Sequence, residues 1–256
     1  MDTDEEGGIS GAVLQTLSST AAALSKNRRP HVKELQARVA QPAQVGKLSQ
    51  SLQNNLHSAA APGILAVSLS ADGEQALTGG VDGNAILFNL KTRQIADTLK
   101  AHKKRVTDVQ LHPTQAVAVT TSADNSAIVW ARGSAGGKAA FSVAHTLSAH
   151  SGEVVGCSLH PSGDYLVTAS ADKSWAFWDI KTGALKKQVG GDAKSEGAGY
   201  TKVLFHPDGL ILGAGTADAL VRIFDVKSQQ VAATLKGHEG AVSGISFSQH
   251  GYYLAS

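Results

Sequence analysis

The sequence predicts an all-β protein built from repeated units of short strands, as in a β-propeller. First, TASADKSWAFWD at 168–179 matches TTSADNSAIVWA at 120–131 column by column. Second, LTGGVDGNAILFN at 77–89 and LGAGTADALVRIFD at 212–225 share the same order of strand, aspartate-containing turn, and strand ending in an aromatic residue. Third, the copies recur at an interval close to about 40–45 residues, which is typical of four-stranded propeller blades.

The N-terminal residues 1–56 differ from the rest and are predicted to form a linker that is partly helical or disordered. The stretch GAVLQTLSSTAAALS at 11–25 is rich in Ala and Leu and predicts a short helix. Pro30 is expected to begin a second helical turn, and Pro42 to end it. Few β-branched residues and many Gln, Ser and Ala residues also favour a linker over a packed domain.

From residue 57 to residue 256 the pattern changes to strands, and this range is predicted to form the propeller. Apolar residues alternate in five related segments, each a strand followed by a turn: ILAVSLSADG, VTDVQLHPTQ, VVGCSLHPSG, YTKVLFHPDG and VSGISFSQHG. Alternation with period two indicates strands with one buried face. The last segment begins a fifth repeat that is cut short, so about four and a half of about seven blades are expected.

Constant spacings identify the residues that define each repeat. The aspartate of the turn precedes an aromatic residue by the same interval in all four copies: Asp82 and Phe88, Asp124 and Trp130, Asp172 and Trp178, Asp218 and Phe224. The interval from the turn histidine to the aspartate is also constant, from His112 to Asp124, from His160 to Asp172 and from His206 to Asp218.

On these residues the chain resembles the WD-repeat family of β-propellers. The resemblance implies that a histidine from the loop leading into a blade bonds the turn aspartate, and that a Ser or Thr of the second strand and a Trp of the third complete the network. Two repeats match it, with these residues: His102, Ser122, Asp124, Trp130, His150, Ser170, Asp172 and Trp178. Which hydroxyl of the second strand takes part stays open.

Such a network has a physical purpose, because a buried aspartate and a buried Trp N–H both need hydrogen-bond partners. The histidines are therefore expected to be structural. The first repeat carries Gly80 and Phe88 at the hydroxyl and Trp positions, while the fourth carries Phe224 and lacks a clear histidine before its first strand. Both of these blades are expected to depend more on apolar packing.

Composition argues against several classes of protein. A formal net charge of +2 and 5% aromatic residues do not favour a nucleic-acid-binding face. The single cysteine, Cys157, precludes an internal disulfide and indicates a reducing compartment, where it is expected to be a small buried residue. No motif of a hydrolase, nucleotide-binding or zinc enzyme is present, so no catalytic residue, metal or cofactor is predicted. No membrane span is predicted either.

A narrower resemblance is carried by LHSAAAPGILAVSLS at 56–70, SWAFWDI at 174–180, FHPDGLILGAGTADALVRIFDVK at 205–227 and ISFSQHGYYLAS at 245–256. These segments are similar to the family of spliceosomal WD-repeat scaffolds that carry an N-terminal U-box. The resemblance implies a nuclear protein that acts in splicing and DNA repair and docks spliceosomal proteins and ubiquitination substrates. It also implies ubiquitin-ligase activity through the U-box and a homotetramer formed by a coiled coil; neither segment has a counterpart here, so a fragment is expected.

Two surface features are candidate partner contacts. Tyr252 is expected to point outward, because Tyr253 aligns with Tyr165 and is expected in the core. The basic residues Lys103, Lys104 and Arg105 follow His102 and are candidates for contact with an acidic protein or with RNA phosphates. The alternatives are a tyrosine that packs against the next blade and a solvated loop. The alternative function is a scaffold or RNA-binding propeller of another pathway.

Overall fold

The computed structural model describes residues 9–38, 56–57, 63–133, 140–191 and 197–256, with only the backbone given for 27–38. One helix precedes eighteen short strands in these ranges. In chain order they are α1 (Gly11–Arg38), β1 (Ile64–Leu69), β2 (Gln75–Gly80), β3 (Asn84–Asn89), β4 (Gln94–Lys100), β5 (Val106–Leu111), β6 (Val117–Ser122), β7 (Ala127–Gly133), β8 (Ala140–Leu147), β9 (Val154–Leu159), β10 (Tyr165–Ser170), β11 (Ser174–Asp179), β12 (Leu185–Gly190), β13 (Tyr200–Phe205), β14 (Ile211–Thr216), β15 (Leu220–Asp225), β16 (Val231–Lys236), β17 (Ser246–Phe247) and β18 (Leu254–Ala255).

The strands form blades, which confirms the predicted partial WD-repeat propeller. Sixteen strands make four antiparallel sheets of four, each in simple chain order, and β17 pairs with β18 in a fifth sheet of two strands. The first strand of each four-stranded blade packs against the first and second strands of the blade before it, so that β5 lies on β1 and β2, β9 on β5 and β6, and β13 on β9 and β10. Neighbouring blades therefore contact each other through their first and second strands.

Irregularities in strand pairing repeat with the blades. The register between the third and fourth strands shifts beside the aromatic position in all four sheets, at Phe88, Trp130, Trp178 and Phe224. A bulge increases the local twist of a strand and bends it. The four blades thus share the same local bend beside the aromatic position, as well as the same pattern of residues.

The core lies between the blades in three clusters of buried side chains. One cluster joins the first and second blades around Leu87 and Trp130, and another joins the second and third around Val129 and Trp178. The largest cluster lies between the third and fourth blades and includes the fully buried rings of Trp175 and Phe177. Cys157 is buried, as predicted, and burial raises the pKa of its thiol well above the ordinary value.

The helix α1 packs against this largest cluster. Buried residues spaced four apart, Val13, Leu17 and Ala21, run along one side of it and continue the spacing of the buried Ile9, which precedes the helix. Ile9, Val13 and Leu17 belong to the cluster of the third and fourth blades. The helix runs without interruption through Pro30, where the sequence predicts the start of a second helical turn, and the end predicted at Pro42 lies outside the described residues. No helix in the described ranges is long and apolar enough to span a membrane.

Both ends of the row of blades expose apolar side chains. On β1, Val67 is 66% exposed and Leu69 is 61% exposed. At the other end Tyr253 is 70% exposed, so the expectation that it lies in the core like Tyr165 is wrong for this structure. Tyr165 is buried because it stacks on Phe177 of its own four-stranded sheet. Tyr253 precedes β18 in a sheet of two strands, and the His250 ring meets it edge to face at 5.3 Å between centroids without burying it.

Candidate protein-interaction site

The third blade contains the most complete hydrogen-bond network. Trp178 Nε1 donates to Thr168 Oγ1 over 2.9 Å, and the same oxygen lies 2.8 Å from His150 Nε2. On the other side of the ring, His150 Nδ1 lies 2.8 Å from Ser174 Oγ, which donates to Asp172 Oδ1 over 2.6 Å. The Ser174 hydroxyl donates its proton to Asp172, so it accepts a hydrogen bond from His150, whose Nδ1 carries the ring proton of the neutral imidazole. The Thr168 hydroxyl accepts the Trp178 N–H, because a Trp N–H only donates, and its own proton goes to His150 Nε2.

The second blade has the same network, except that its histidine contacts the aspartate directly instead of through a serine hydroxyl. Trp130 Nε1 donates to Thr120 Oγ1 over 2.9 Å, and His102 Nε2 lies 2.7 Å from that oxygen. His102 Nδ1 reaches Asp124 Oδ2 directly at 3.1 Å, and Ser126 donates its hydroxyl to the other carboxylate oxygen. Aspartate, histidine, threonine and tryptophan thus form one continuous series of hydrogen bonds across the blade.

The predicted hydroxyls Ser122 and Ser170 do not bridge histidine and tryptophan, so this assignment is wrong. Thr120 and Thr168, two positions earlier on the same strand faces, make that bridge. The serines instead accept the backbone N–H of Asp124 and of Asp172, each over 3.1 Å. Side chains at i and i+2 of a strand share a face, so spacing alone does not separate the two hydroxyls.

Burial and hydrogen bonding set the charges of the network. Burial opposes ionisation of Asp124, but the Ser126 hydroxyl, the Lys103 amide and the His102 ring together lower its pKa to about 2. Burial lowers the pKa of His102, and the nearby Asp124 only partly offsets this effect. The pKa of His150 is lowered for the same reason beside Asp172. The stable form therefore pairs ionised aspartates with neutral histidines.

The first blade has a histidine that the sequence reasoning missed. His57 Nδ1 lies 2.9 Å from Asp82 Oδ1, and His57 Nε2 lies 3.0 Å from Thr78 Oγ1. Gly80 leaves room for this ring, since a Cβ there would lie 2.0 Å from His57 Nδ1. The expectation that this blade depends on apolar packing is therefore wrong except at Phe88, which replaces the Trp. The sequence does contain a signal for this network, because a threonine stands four residues before the aspartate in each of the three blades, at Thr78, Thr120 and Thr168.

The fourth blade does replace the network by apolar packing. Ala214 occupies the threonine position and Phe224 the tryptophan position. The Phe224 ring meets Trp175 at 5.8 Å and Tyr200 at 6.1 Å between ring centroids, both edge to face. Asp218 accepts a hydrogen bond from the Thr216 hydroxyl and another, over 3.3 Å, from the backbone N–H of Ala198.

The network holds the loop that presents the basic cluster. Asp124 Oδ2 accepts the backbone N–H of Lys103 over 2.9 Å, and Ser122 donates to the carbonyl of Lys104 over 3.2 Å. Both lysine side chains are exposed, and neither forms an ion pair with the residues that the structure describes. Arg105 differs from them, because its guanidinium binds both carboxylate oxygens of Glu153 in the next blade over 2.9 Å.

Tyr252 lies on the surface, as expected for a partner contact, with 72% of its side chain exposed. Its backbone N–H donates to His250 Nδ1 over 3.2 Å, and the two rings lie 5.2 Å apart. With Tyr253 and Phe247 it borders a cavity of about 230 Å³ between the fourth blade and the β17–β18 hairpin. In the described part of the chain, no group of three or more His, Cys, Asp or Glu residues is arranged to hold a metal ion.

Comparison with known proteins gives the same family of folds. The family described as "WD domain, G-beta repeat" matches residues 93–131, 141–179 and 229–256. The chain is 38% identical over 249 residues to pre-mRNA-processing factor 19 of Oryza sativa subsp. japonica, covering 97% of this chain and 46% of the relative. It is 39% identical to the Homo sapiens protein of the same name, covering 96% and 48%. The chain therefore spans about half the length of the curated relatives that it matches.

Proposed function

The chain is a WD-repeat protein related to pre-mRNA-processing factor 19 over nearly its whole length, and from this premise we propose that it docks protein partners in pre-mRNA splicing. The observation that carries the proposal is the similarity over 97% of the chain to proteins of that name. WD-repeat blades and this similarity favour binding of splicing factors, which act in the nucleus. The proposed location is therefore nuclear.

The geometry supports a docking role because the blades form a fixed scaffold for exposed side chains. The networks of the second and third blades use their polar groups internally and hold the loops that enter these blades by their backbones. Lys103, Lys104 and Tyr252 then project from ordered loops and are available to partners. Binding residues on loops that a rigid scaffold positions are the usual arrangement in such proteins.

The finer proposal concerns the whole protein to which these repeats are related. We propose that the repeats recruit substrates for a U-box ubiquitin ligase, in splicing and in DNA repair, with the transfer chemistry supplied by a U-box and assembly into a homotetramer by a coiled coil. Its support is the resemblance alone. The expected readout is ubiquitin transfer to a protein that the repeats bind, in a reconstituted reaction with the full-length protein.

The test of docking uses the purified chain as bait for spliceosomal proteins in a nuclear extract treated with ribonuclease. Recovery of spliceosomal proteins that persists at about 0.5 M salt supports apolar protein contacts, because salt at that level screens exposed charges. Tyr252→Ala should weaken this recovery, and Lys227→Ala, at an exposed position between β15 and β16, is the control. Failure to enrich any spliceosomal protein contradicts the proposal.

RNA binding is the second candidate, and exposed Lys103 and Lys104 are the observation that favours it. Phosphate contacts make affinity fall steeply with salt, by a slope close to the number of ion pairs formed. Removing both lysines should then lower RNA affinity and reduce that slope by about two. Arg105 is expected to contribute little, because its guanidinium is already bound to Glu153.

A further inference from the structure

A second repeated contact joins the blades at the rim formed by the turns after their first strands. His112 Nε2 lies 3.0 Å from the carbonyl oxygen of Gly163 in the next blade, and His206 Nε2 lies 2.9 Å from that of Gly251. His160 occupies the equivalent position against Gly209, where a Cβ would come within 2.0 Å of its Nε2, but this nitrogen has no hydrogen-bond partner among the described residues. We call this contact of a turn histidine with the glycine of the following turn the rim latch.

The rim latch requires glycine for two reasons. Gly163 and Gly209 have φ angles of 82° and 80°, in the region that favours glycine. A side chain there would also meet the histidine, because a Cβ on Gly163 would lie 2.4 Å from His112 Nε2. A turn that receives a histidine from the preceding blade is therefore confined to glycine at this position.

The interface between the first and second blades lacks both halves of the rim latch. In each turn that carries the latch histidine, the backbone N–H of the histidine donates to the carbonyl of the residue five positions later, and the glycine position lies three residues after the histidine. At the histidine position the first blade has Ser70, which makes the same backbone pairing with Gln75. At the glycine position the second blade has Gln115. The missing histidine and the missing glycine thus fall on the same interface.

A cavity of about 360 Å³ lies at this interface. Its lining includes both substituted residues, Ser70 and Gln115, together with Asp72, His112 and Phe141. His112 cannot fill the space, because its ring is already used: Nδ1 accepts the backbone N–H of Gln115, and Nε2 faces Gly163. The cavity occupies the place where the other interfaces hold an imidazole ring.

We propose that this cavity is a binding site for a histidine-bearing turn of a partner protein, whose imidazole takes the position of the absent latch histidine. The three other interfaces show the fit, since each places an imidazole between two such turns. Asp72 adds a carboxylate at the rim, held by the Ser70 hydroxyl over 2.5 Å and by the Glu74 amide over 2.9 Å. The Phe141 ring also lines the cavity, with the Arg132 guanidinium 5.8 Å from the ring centroid. The inference rests on the proposed docking function and assigns one site to it.

The probe for the test comes from the chain itself. A peptide of residues 158–165, SLHPSGDY, carries the histidine turn that forms the rim latch in the third blade. Its partner peptide has Ala in place of His160. Both are titrated into the ¹⁵N-labelled full chain, and the amide resonances of Ser70, Asp72 and Gln115 are followed by NMR. This assay needs no spliceosomal protein, so its failure is distinct from failure of the extract experiment.

The expected result is a saturable shift of these three resonances with a dissociation constant of about 1 mM or tighter. The Ala peptide should bind at least about tenfold more weakly, because it lacks the ring. Equal binding of the two peptides, or no saturable shift, overturns the proposal. This comparison uses the unaltered chain and does not depend on the folding of any variant.

A variant of the chain gives the second arm. Ser70→His with Gln115→Gly installs the missing rim latch and should abolish the peptide-dependent shifts of residues around the cavity. The matched control is Ser228→His with Gln230→Gly, the same change of composition at two exposed positions after β15. The control should bind the peptide like the unaltered chain. Undiminished binding by a folded latch variant would overturn the site.

Discussion

Thr168→Val tests whether the threonine hydroxyl is the centre of the network in the third blade. The side chain is 0% exposed, and valine keeps its shape while it removes the hydroxyl. The change leaves Trp178 Nε1 without its acceptor at 2.9 Å and His150 Nε2 without its partner at 2.8 Å. Each unsatisfied buried group costs about 1–3 kcal/mol, so the two together predict a loss of unfolding free energy of about 2–6 kcal/mol.

The assay is urea denaturation followed by tryptophan fluorescence, with the free energy taken from the midpoint at an unchanged slope. Ser170→Ala is the matched control, because that hydroxyl accepts a single backbone N–H at 3.1 Å. Its expected cost is about 1 kcal/mol. Thr168→Ser, which keeps the hydroxyl, should also lose less than Thr168→Val. If Thr168→Val were no more destabilising than Ser170→Ala, the assignment of Thr168 to the network would be refuted.

Three further changes test other parts of the fold. Trp178→Ala empties a buried site and should cost about 3–5 kcal/mol; a loss below about 1 kcal/mol would contradict the core assignment. Ala219 has a φ of 63°, so Ala219→Gly should stabilise the turn by about 0.5–1 kcal/mol in a thermal melt, whereas the control Ala217→Gly should not. Burial lowers the pKa of His160 to about 4, so protonation favours the unfolded chain. Stability from neutral His160 is complete above pH 6.5 and should fall by roughly 2 kcal/mol by pH 5, and a flat urea profile would refute this.

The repeat residues were predictable because their spacing survives changes in the residues around them. The positions of Asp124, Asp172, Trp130 and Trp178 follow from constant intervals in the sequence, and so does the order of strands in each blade. Alternating apolar residues also indicate which strand faces are buried. These features depend on local pattern, which a single sequence displays.

The remaining features depend on contacts between distant residues. His57 escaped notice because it lies 25 residues before Asp82, whereas His102 lies 22 residues before Asp124. The sequence of the helix likewise does not predict that Leu17 packs on the third and fourth blades, because Ser and Thr residues between the apolar positions weaken the apolar pattern. The pairing of Arg105 with Glu153 joins two blades, so no local motif predicts it.

In the fourth blade the donor and the acceptor of the network are replaced together, whereas the first blade keeps Thr78, which bonds His57, and has Phe88 at the Trp position. Ala214 removes the acceptor where Phe224 removes the donor, so neither is left unsatisfied. The same logic applies to the third blade. Trp178→Phe should reduce the loss of unfolding free energy caused by Thr168→Val, because phenylalanine has no N–H that would lose its acceptor at that site.

The double variant Thr168→Val with Trp178→Phe is therefore expected to lose about 1–2 kcal/mol less than the sum of the two single changes. A double-mutant cycle of urea midpoints measures this difference directly. The pair Thr168→Val with Ala219→Gly, which lies in a different blade, provides the control and should be additive. Additivity in both cycles would mean that Thr168 and Trp178 act independently, and the 2.9 Å contact between them would then carry no coupling energy.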